Sequence, residues 1–320
     1  MKIAFFGTPE FAKNILSDLF YNFKEIEIKL VVSQPDKPVG RKKEILKTKT
    51  AEFATSNNLE LMQPETLKNN IEFLNKLKSL NLDFIVVVAY GKIIPQNILD
   101  IPKYSCINIH GSILPNYRGA SPVQESLKAG DKKTGITIMY MSDKMDEGDI
   151  LQIKEVEIDI KDKSQDIFKK FEKIGAGLLV DTLKKVVNKT ITPIKQDDKF
   201  ATYCKKIEKN DGKIDFKNSS SLEIYNKFRS YSPWPGIFTY YFEKKLDITD
   251  CFFDESIVEF DKDFSPGDVV EIEFDSKKNI AVLCKTGVLI INKVKLEGKK
   301  EISIFDFING NKYFLNYNFK

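Results

Sequence analysis

The sequence predicts an α/β protein in which a Rossmann-like parallel-sheet domain is followed by a small OB-like β-barrel domain. Two observations predict this class. In the first half of the chain, short apolar runs alternate with helical repeats, and strands that are apolar on both faces are typical of a parallel sheet covered by helices. In the last third, short strand-like runs follow one another at near-regular spacing, which is typical of a small barrel.

We divide the chain at a polar stretch rich in lysine and aspartate. The first domain is expected over residues 1–190, a linker over 191–209 and the second domain over 210–320. With 320 residues, the chain exceeds the usual size of one hydrophobic core, which also favours two domains. The predicted strands of the first domain cover residues 2–6, 28–33, 84–89, 106–110, 135–140 and 150–158. Those of the second cover residues 237–242, 246–253, 268–274, 280–284 and 288–295.

Two predicted helices begin with residues that commonly cap helices. After the first strand, Thr8 is expected to cap the helix, Pro9 to occupy its first turn and Glu10 to complement its dipole. Ser164 is expected to cap a long helix over residues 164–187. The turn after the first strand lacks the GxGxxG spacing, so the sequence does not predict a dinucleotide cofactor.

The composition argues against several classes of protein. It is 42% hydrophobic and 30% charged, as in folded soluble proteins, and no apolar run approaches the length of a membrane-spanning helix. We therefore expect no membrane partner. The cysteines are far apart and form no CxxC pair, so we expect neither disulfide bonds nor a metal site: Cys106, Cys204, Cys251 and Cys284. Cysteines without disulfide bonds favour a cytoplasmic protein.

The chain has a single histidine, His110, and its surroundings make it a candidate catalytic residue. Strand alternation places Asn108 and His110 on one face, and Gly111 then ends the strand. Ligands of open parallel sheets bind at the carboxyl ends of the strands. A lone histidine is more often a surface or core residue, but two polar neighbours at this position need partners, and a reacting carbonyl group would supply one.

An acidic run lies between the two strands expected at residues 135–140 and 150–158. Four carboxylates occur within seven residues, and their spacing does not fit a calcium-binding EF-hand loop. A solvated turn is the simplest interpretation of such a run. A carboxylate from it that came close to His110 would instead orient the imidazole ring and stabilise its positive charge.

A basic segment follows the second predicted strand. Six basic residues occur within residues 37–49, and only Glu44 offsets them. Such a segment is either a solvated surface or a binding site for phosphates. The chain has only three arginines, Arg41, Arg118 and Arg229, so each is a candidate for planar, bidentate contacts.

Several motifs together resemble a known family. Asn108-x-His110, Ser112-Ile113-Leu114-Pro115 and Asp146-x-Gly148-Asp149 are similar to the signature of formyltransferases that use 10-formyltetrahydrofolate. The segments IAFFGTPEFA, VSQPDKPVGRKK, VVVAYGKIIP and SPWPG resemble the methionyl-tRNA formyltransferase family in particular. The resemblance covers nearly the whole chain in order. It implies transfer of the formyl group to the amino group of methionine on initiator methionyl-tRNA.

The resemblance also implies roles for individual residues. It implies that the catalytic residues are Asn108, His110 and Asp146. It implies that the folate site is lined by Ser112, Ile113, Leu114 and Pro115, with backbone contacts to the pterin from Val88, Ala89 and Tyr90. It implies that tRNA is bound by Lys37, Arg41, Lys42, Lys43 and Lys47, with a contribution from the second domain. The expected partners are initiator methionyl-tRNA and folate, without a metal, and we expect a monomer.

The sequence departs from the family's pattern at a few positions. Gly111 and Ile113 replace the usual alanine and leucine, Asn116-Tyr117 replaces an Arg-Trp-like pair, and the basic segment is one residue shorter than the family's form. The three polar catalytic candidates are unchanged. We therefore carry over the catalytic positions and leave the manner of tRNA contact open.

Several alternatives remain open from sequence. His110 could donate to the formyl oxygen or move a proton, and Asp146 could orient His110 or accept the proton that the amine loses. A folate-dependent N-formyltransferase that acts on an amino sugar nucleotide would share the same three residues. A glycinamide ribonucleotide formyltransferase fits less well, because it lacks a matching second domain. A catalytically inactive OB-type RNA-binding protein is the alternative from another class.

Overall fold

A computed structural model describes residues 1–39, 44–256 and 264–319 of the chain. The described chain forms two compact units. The first consists of Met1–Pro122, Lys133–Glu157 and Ile167–Lys205, and the second of Val123–Lys132, Ile158–Asp166 and Lys206–Lys320. The stretch that we expected to be a linker is therefore divided, with residues 191–205 in the first unit and the remainder in the second.

The first unit contains the strands β1 to β11. They are β1 (Lys2–Gly7), β2 (Glu27–Val32), β3 (Lys37–Val39), β4 (Glu44–Leu46), β5 (Leu61–Met62), β6 (Phe84–Val88), β7 (Ser105–His110), β8 (Arg118–Gly119), β9 (Lys133–Tyr140), β10 (Ile150–Glu157) and β11 (Tyr203–Cys204). The helices up to residue 187 are α1 (Glu10–Asn22), α2 (Lys49–Ser56), α3 (Ile71–Ser79), α4 (Gln96–Leu99), α5 (Pro122–Ala129) and α6 (Ser164–Val187).

Seven of these strands form one sheet in the order β10-β9-β7-β6-β1-β2-β5. The five strands from β7 to β5 are parallel, whereas β9 and β10 pair in antiparallel fashion. All five residues of β6 are buried, so both faces of this strand are covered, as the apolar sequence predicted. The predicted Rossmann-like sheet is thus confirmed, and only β9, the second strand from one edge, runs against the direction of the others.

The core of the first unit is formed by apolar side chains from the central strands and the helices over them. Helix α1 buries residues at helical spacing: Phe11, Ala12, Ile15, Leu16 and Leu19. On another part of the core, Phe6 of β1 packs edge-on against Phe73 of α3 and against Tyr90, which follows β6. This packing fixes the ends of β1 and β6, from which the loops of the candidate site emerge.

Neither predicted N-cap forms. Helix α1 begins at Glu10 without a side-chain cap, and the Thr8 hydroxyl donates instead to the Tyr90 carbonyl at 3.0 Å. Ser164 is the first residue of α6, and its hydroxyl donates to the Ser232 carbonyl at 2.7 Å. The predicted caps are wrong at both positions, because each hydroxyl donates its hydrogen bond to a carbonyl group that is distant in sequence.

The second unit is built around an antiparallel sheet, which agrees with the predicted run of short strands. The strands are β12 (Ile237–Tyr241), β13 (Lys244–Asp254), β14 (Val269–Phe274), β15 (Lys277–Leu283), β16 (Val288–Leu296) and β17 (Ile302–Ser303), and the helices are α7 (Ser221–Tyr231) and α8 (Ile304–Gly310). The sheet has the order β12-β13-β16-β15-β14, and β17 pairs with β16. Helix α7 starts with a capping box between Ser220 and Glu223, and it buries Ile224, Tyr225 and Phe228 in the core of this unit.

The helices within the ranges just given were also compared with the length and apolarity that a membrane-spanning helix needs. None of the helices described there is long and apolar enough to cross a bilayer.

Candidate active site

Asn108 and His110 lie at the carboxyl end of β7, and His110 is the last residue of the strand. Strand β7 pairs in parallel with β6 and in antiparallel fashion with β9, so both residues lie inside the sheet. Asn108 is half-buried, and its side-chain amide forms no hydrogen bond with any other residue of the described ranges. Its N–H groups are therefore available to a bound molecule.

Both ring nitrogens of His110 face oxygen atoms. Nε2 lies 3.1 Å from the Tyr117 carbonyl oxygen, and Nδ1 lies 3.6 Å from Oδ1 of Asp146. A carbonyl oxygen can only accept a hydrogen bond, so Nε2 must carry a proton in this contact. Only the protonated ring has a hydrogen on each nitrogen, and in that form Nδ1–H faces the carboxylate. The structure thus brings His110 and Asp146 together, as the motifs implied.

Asp146 is held by the loop between β9 and β10. Its Oδ2 accepts a hydrogen bond from the Gly119 backbone N–H at 2.9 Å, and its backbone adopts a left-handed conformation with φ of 56°. Two residues further on, a Cβ atom on Gly148 would overlap the Tyr140 carbonyl oxygen. Glycine is therefore required at position 148 for the loop to approach the end of β9.

The loop that follows His110 is fixed by polar contacts with the neighbouring strand. Thr137 in β9 donates from Oγ1 to the Ser112 carbonyl at 2.6 Å and accepts from the Leu114 N–H at 3.2 Å. The Ser112 hydroxyl donates to the Asn116 carbonyl at 2.6 Å. Leu114 is buried against Met139 and Ile150. Among the folate candidates in this loop, Ile113 and Pro115 are therefore the two that remain partly exposed.

Val88, Ala89 and Tyr90 lie at the carboxyl end of β6, beside β7. Ala89 is exposed and left-handed, with φ of 46°. The Tyr90 carbonyl already accepts two hydrogen bonds, from Thr8 Oγ1 at 3.0 Å and from Gln34 Nε2 at 2.7 Å. Its buried hydroxyl has no partner among the described residues, and burial raises the Tyr90 pKa to about 12. Of these three residues, Ala89 has the backbone that is most accessible to a ligand.

The basic segment contains a short hairpin. Lys37 is the first residue of β3, which pairs with β4, and Lys47 follows β4. Both lysines are exposed and form no ion pair with other residues in the described ranges. At the base of the hairpin, Asp36 Oδ1 accepts from the Thr48 N–H at 3.0 Å and from Gln63 Nε2 at 2.7 Å. The other three tRNA candidates, Arg41, Lys42 and Lys43, lie outside the described residues.

Residues 202–204 run alongside the loop after His110, a contact that the sequence did not suggest. Strand β11 pairs in parallel with β8. The Tyr117 N–H donates to Thr202 Oγ1 at 2.8 Å, and the Arg118 N–H donates to the Thr202 carbonyl at 2.8 Å. These bonds orient the Tyr117 peptide, whose carbonyl oxygen contacts His110. Tyr117 makes these contacts through its backbone N–H and carbonyl groups, so the identity of its side chain could not have predicted them.

Arg118 is completely buried within the first unit and was singled out in the sequence only because arginine is rare. Its Nη2 donates to Asp198 Oδ1 at 2.9 Å, its Nη1 donates to the Tyr203 hydroxyl at 3.2 Å, and its Nε donates to Gln196 Oε1 at 3.0 Å. Burial by itself would lower the pKa of this guanidinium, but the hydrogen bonds with Asp198 and Tyr203 raise it above the ordinary value. The buried group therefore keeps its charge beside the candidate site.

We also searched the described ranges for side chains that could bind a metal ion together. No group of three or more histidine, cysteine, aspartate or glutamate side chains is arranged there to hold a metal ion.

Comparison with known proteins identifies the family. The family model described as "Formyl transferase" matches residues 1–183, and the model described as "Formyl transferase, C-terminal domain" matches residues 206–312. A protein of Caldicellulosiruptor saccharolyticus named "Methionyl-tRNA formyltransferase" is 46% identical over 98% of this chain and 97% of its own length. A protein of Clostridium novyi with the same name is 40% identical over 97% of each chain. The chain belongs to the methionyl-tRNA formyltransferase family.

Solved structures with the formyltransferase fold are more distant in sequence. A sugar 3N-formyl transferase, solved with dTDP and 5-N-formyl-THF, has a TM-score of 0.64 at 20% identity and covers 94% of this chain and 99% of its own. An N-formyltransferase from Helicobacter canadensis has a TM-score of 0.63 at 20% identity and covers 91% of this chain and 98% of its own. At this level of identity the likeness confirms the fold, whereas membership of the methionyl-tRNA formyltransferase family rests on the sequence relatives.

Proposed function

We propose that this protein transfers the formyl group of 10-formyltetrahydrofolate to the amino group of methionine on initiator methionyl-tRNA. The names of relatives that match nearly the whole chain support this acceptor. The observation that carries the chemistry is the convergence of three polar groups in the first unit. Asn108 has a free amide, and His110 beside it on the strand faces Asp146 across 3.6 Å.

The reaction forms a bond between the amino nitrogen and the formyl carbon, and it breaks the bond between that carbon and N10 of the folate. The amine loses one proton and N10 gains one. The folate supplies an activated formyl group. The protein must bind both substrates, stabilise the negative charge that develops on the formyl oxygen, and move the proton.

We assign stabilisation of the developing oxyanion to Asn108. Its amide is neutral and can donate a hydrogen bond without a change of charge. A positioned donor of this kind contributes roughly 10²–10³-fold to turnover. The absence of a competing hydrogen bond within the described part of the chain supports this role, because the donor need not leave another partner.

We assign proton transfer to His110 and Asp146 as a pair. Direct donation from His110 Nε2 to the formyl oxygen would require loss of its 3.1 Å contact with the Tyr117 carbonyl. Its Nδ1 faces Asp146, so the pair can take up the proton that the amine loses and return it at N10. General acid–base assistance of this kind is worth about 10²–10⁴-fold.

For the folate, we propose a site between the loop that follows His110 and the segment that follows β6. Ser112, Ile113, Leu114 and Pro115 would line it, and Val88, Ala89 and Tyr90 would offer backbone groups. The exposed, left-handed backbone of Ala89 supports the second part of this set. Folate-bound formyltransferases of the same fold support a folate as the formyl donor.

For the tRNA, we propose that the basic segment and the second unit bind phosphates, through Lys37, Arg41, Lys42, Lys43 and Lys47 in the former. The exposed, unpaired positions of Lys37 and Lys47 among the described residues support this role. We further propose that the enzyme acts as a monomer in the cytoplasm.

The second candidate function is N-formylation of an amino sugar nucleotide. It is favoured by the solved structures, which include a sugar 3N-formyl transferase with dTDP and an N-formyltransferase with dTDP-3-aminofucose. One assay separates the candidates: purified protein and 10-formyltetrahydrofolate with initiator methionyl-tRNA, uncharged tRNA or dTDP-3-aminofucose. We expect formyl transfer only to the charged tRNA. Transfer only to the sugar would establish the second candidate, and transfer to none would favour the inactive RNA-binding alternative.

A further inference from the structure

Gln196 is buried in a segment that is otherwise exposed. The residues around it, from Thr192 to Phe200, all lie at the surface, whereas only 7% of Gln196 is accessible. Burial of a glutamine side chain is costly unless its amide is satisfied. The contacts of this amide therefore indicate what the segment is for.

The Gln196 amide joins two carbonyl groups of the loop that carries Asp146. Its Nε2 donates to the Asp146 carbonyl oxygen at 2.8 Å and to the Gly148 carbonyl oxygen at 2.7 Å. Its Oε1 accepts from Arg118 Nε at 3.0 Å. Carbonyl oxygens only accept and a guanidinium only donates, so these partners fix the orientation of the amide. All of these groups belong to the first unit.

We infer that Gln196, oriented by Arg118, is a positioning residue that holds Asp146 against His110. The inference rests on the proposed role of Asp146 in formyl transfer. Gln196 binds the backbone on both sides of the turn, and Asp146 itself has a left-handed backbone that a non-glycine residue adopts only when its surroundings enforce it. Gln196 thereby fixes the backbone of Asp146, while the Gly119 N–H fixes its carboxylate at 2.9 Å.

Arg118 orients Gln196 and is itself held in place by several other residues. Its guanidinium is completely buried and is held by Asp198 and by the Tyr203 hydroxyl, while Glu147 lies 3.8 Å from Nη1. The three partners of Arg118 that follow residue 190 are Gln196, Asp198 and Tyr203. The stretch that we expected to be a linker thus supplies the support of the candidate catalytic loop.

The variant Gln196→Glu tests the inference with almost no change in shape. The new carboxylate still accepts from Arg118, but it places an acceptor against the carbonyls of Asp146 and Gly148, which would push the loop away. A displacement of about 1 Å at a catalytic group can cost roughly 10²-fold in rate, so we expect kcat to fall by about 10- to 100-fold. The KM values for both substrates should change less, because Gln196 is buried and contacts neither.

Gln152→Glu is the matched control. Gln152 in β10 also uses both ends of its amide, donating to Asp181 Oδ2 at 3.2 Å and accepting from Thr182 Oγ1 at 2.8 Å. The same substitution there places two carboxylates together without contact with the candidate site. We expect wild-type kcat from this variant. Thermal unfolding of both variants establishes that each is folded, and Gln196→Met replaces Gln196→Glu if the latter does not fold.

The single histidine of the chain provides a readout that needs no activity. In protein labelled with ¹⁵N-histidine, the imidazole NMR signals belong to His110 alone. We expect Gln196→Glu to change the ring signals, as Asp146→Asn should, and Gln152→Glu to leave them unchanged. Wild-type ring signals of His110 in folded Gln196→Glu or Gln196→Met would overturn the inference, whatever the acceptor proves to be.

A double-mutant cycle in single-turnover formylation completes the test. If Gln196 acts through Asp146, then Gln196→Glu should lower the rate of the Asp146→Asn enzyme by less than about twofold, since the two changes affect one function. If the rate losses of the two single variants instead multiply in the double variant, Gln196 has a general structural role and the inference is overturned. The cycle can be run with whichever acceptor the wild-type protein formylates, so failure of the methionyl-tRNA proposal would be seen separately.

Discussion

His110 Nδ1 lies 3.6 Å from Asp146 Oδ1, and this pair connects the end of the central strand β7 with the loop between β9 and β10. Neither residue reaches this position alone. His110 is held on its other side by the Tyr117 carbonyl, and Asp146 is held by Gly119 and Gln196. The candidate site therefore depends on contacts among three segments of the first unit: the one that follows His110, the loop between β9 and β10, and the one that contains Gln196.

Asp146→Asn should abolish most activity while leaving folate binding intact. The amide retains the shape of the carboxylate and can still accept from the Gly119 N–H, but it cannot balance a positive charge on His110. We expect turnover to fall by about 10²-fold or more. Isothermal titration with 5-formyltetrahydrofolate should give a near-normal Kd. A large loss of folate affinity would make Asp146 a binding residue instead.

Gly148→Ala should disturb the same loop by steric overlap. The added Cβ would meet the Tyr140 carbonyl oxygen, which belongs to the fixed backbone of β9 and cannot move aside like a side chain. We expect a loss of roughly 1–3 kcal/mol in the free energy of unfolding, together with reduced turnover. Urea unfolding and initial rates would measure both effects.

The matched control for Gly148→Ala is Gly177→Ala. Gly177 lies on the exposed face of α6, where the new methyl group meets only Phe23 at 3.9 Å. Alanine favours the helix over glycine by about 0.5–1 kcal/mol, so this variant should be slightly more stable and fully active. Equal effects of the two substitutions would show that position 148 has no special requirement.

Tyr90→Phe should stabilise the protein, most clearly at high pH. The buried hydroxyl lacks a partner among the described residues, so its removal should raise the free energy of unfolding by about 1 kcal/mol at neutral pH. The folded-state pKa of about 12 exceeds the ordinary value of 10.0, so tyrosine at this position is compatible with full stability below pH 10 and costs stability as the pH rises towards 12. Phenylalanine removes that loss.

Urea unfolding at pH 8 and near pH 11 would test this prediction, with Tyr313→Phe as the control at a side chain that is 76% exposed. Folate affinity should be unchanged in Tyr90→Phe, because the proposed contact uses the backbone. A weaker Kd for 5-formyltetrahydrofolate would instead assign the hydroxyl to the ligand.

The basic segment should control the salt dependence of tRNA binding. Replacement of Arg41, Lys42 and Lys43 together by alanine removes up to three phosphate contacts, each of which releases counterions on binding. The slope of log Kd against log salt should flatten by about two to three units, at roughly 0.7 to 0.9 per lost contact. Filter binding of methionyl-tRNA over a range of salt would measure it. An unchanged affinity and slope would leave the segment a solvated surface.

The sequence predicted those features that depend on regular patterns. Alternation in β7 was sufficient to put Asn108 and His110 together at the end of a buried strand, and the structure has them there. Apolar runs likewise predicted the strands of both units. The reversed direction of β9, which is antiparallel to both β7 and β10, was not predicted, because a strand buried on both faces gives an apolar run whichever way it points.

Long-range polar contacts were outside the reach of such patterns. Thr8 lies at a position where a helix-capping residue is expected from the sequence, but its hydroxyl donates to the Tyr90 carbonyl. Gln196 lies in a polar, irregular stretch, where one buried amide leaves no periodic signal. Arg118 was noticed only for its rarity, and its partners lie about eighty positions further along the chain. Position in the sequence carries little information about such contacts, which depend on how loops meet.

The most direct test of the central claim is single-turnover formyl transfer to initiator methionyl-tRNA by Asn108→Ala, with enzyme in excess. Asn22→Ala, at the exposed end of α1, is the control. If Asn108 stabilises the developing oxyanion, its variant should transfer the formyl group about 10²–10³-fold more slowly, with the same affinity for tRNA. His110→Ala should be slowed by at least about 10²-fold for loss of proton transfer. A near-wild-type rate in Asn108→Ala would contradict the account.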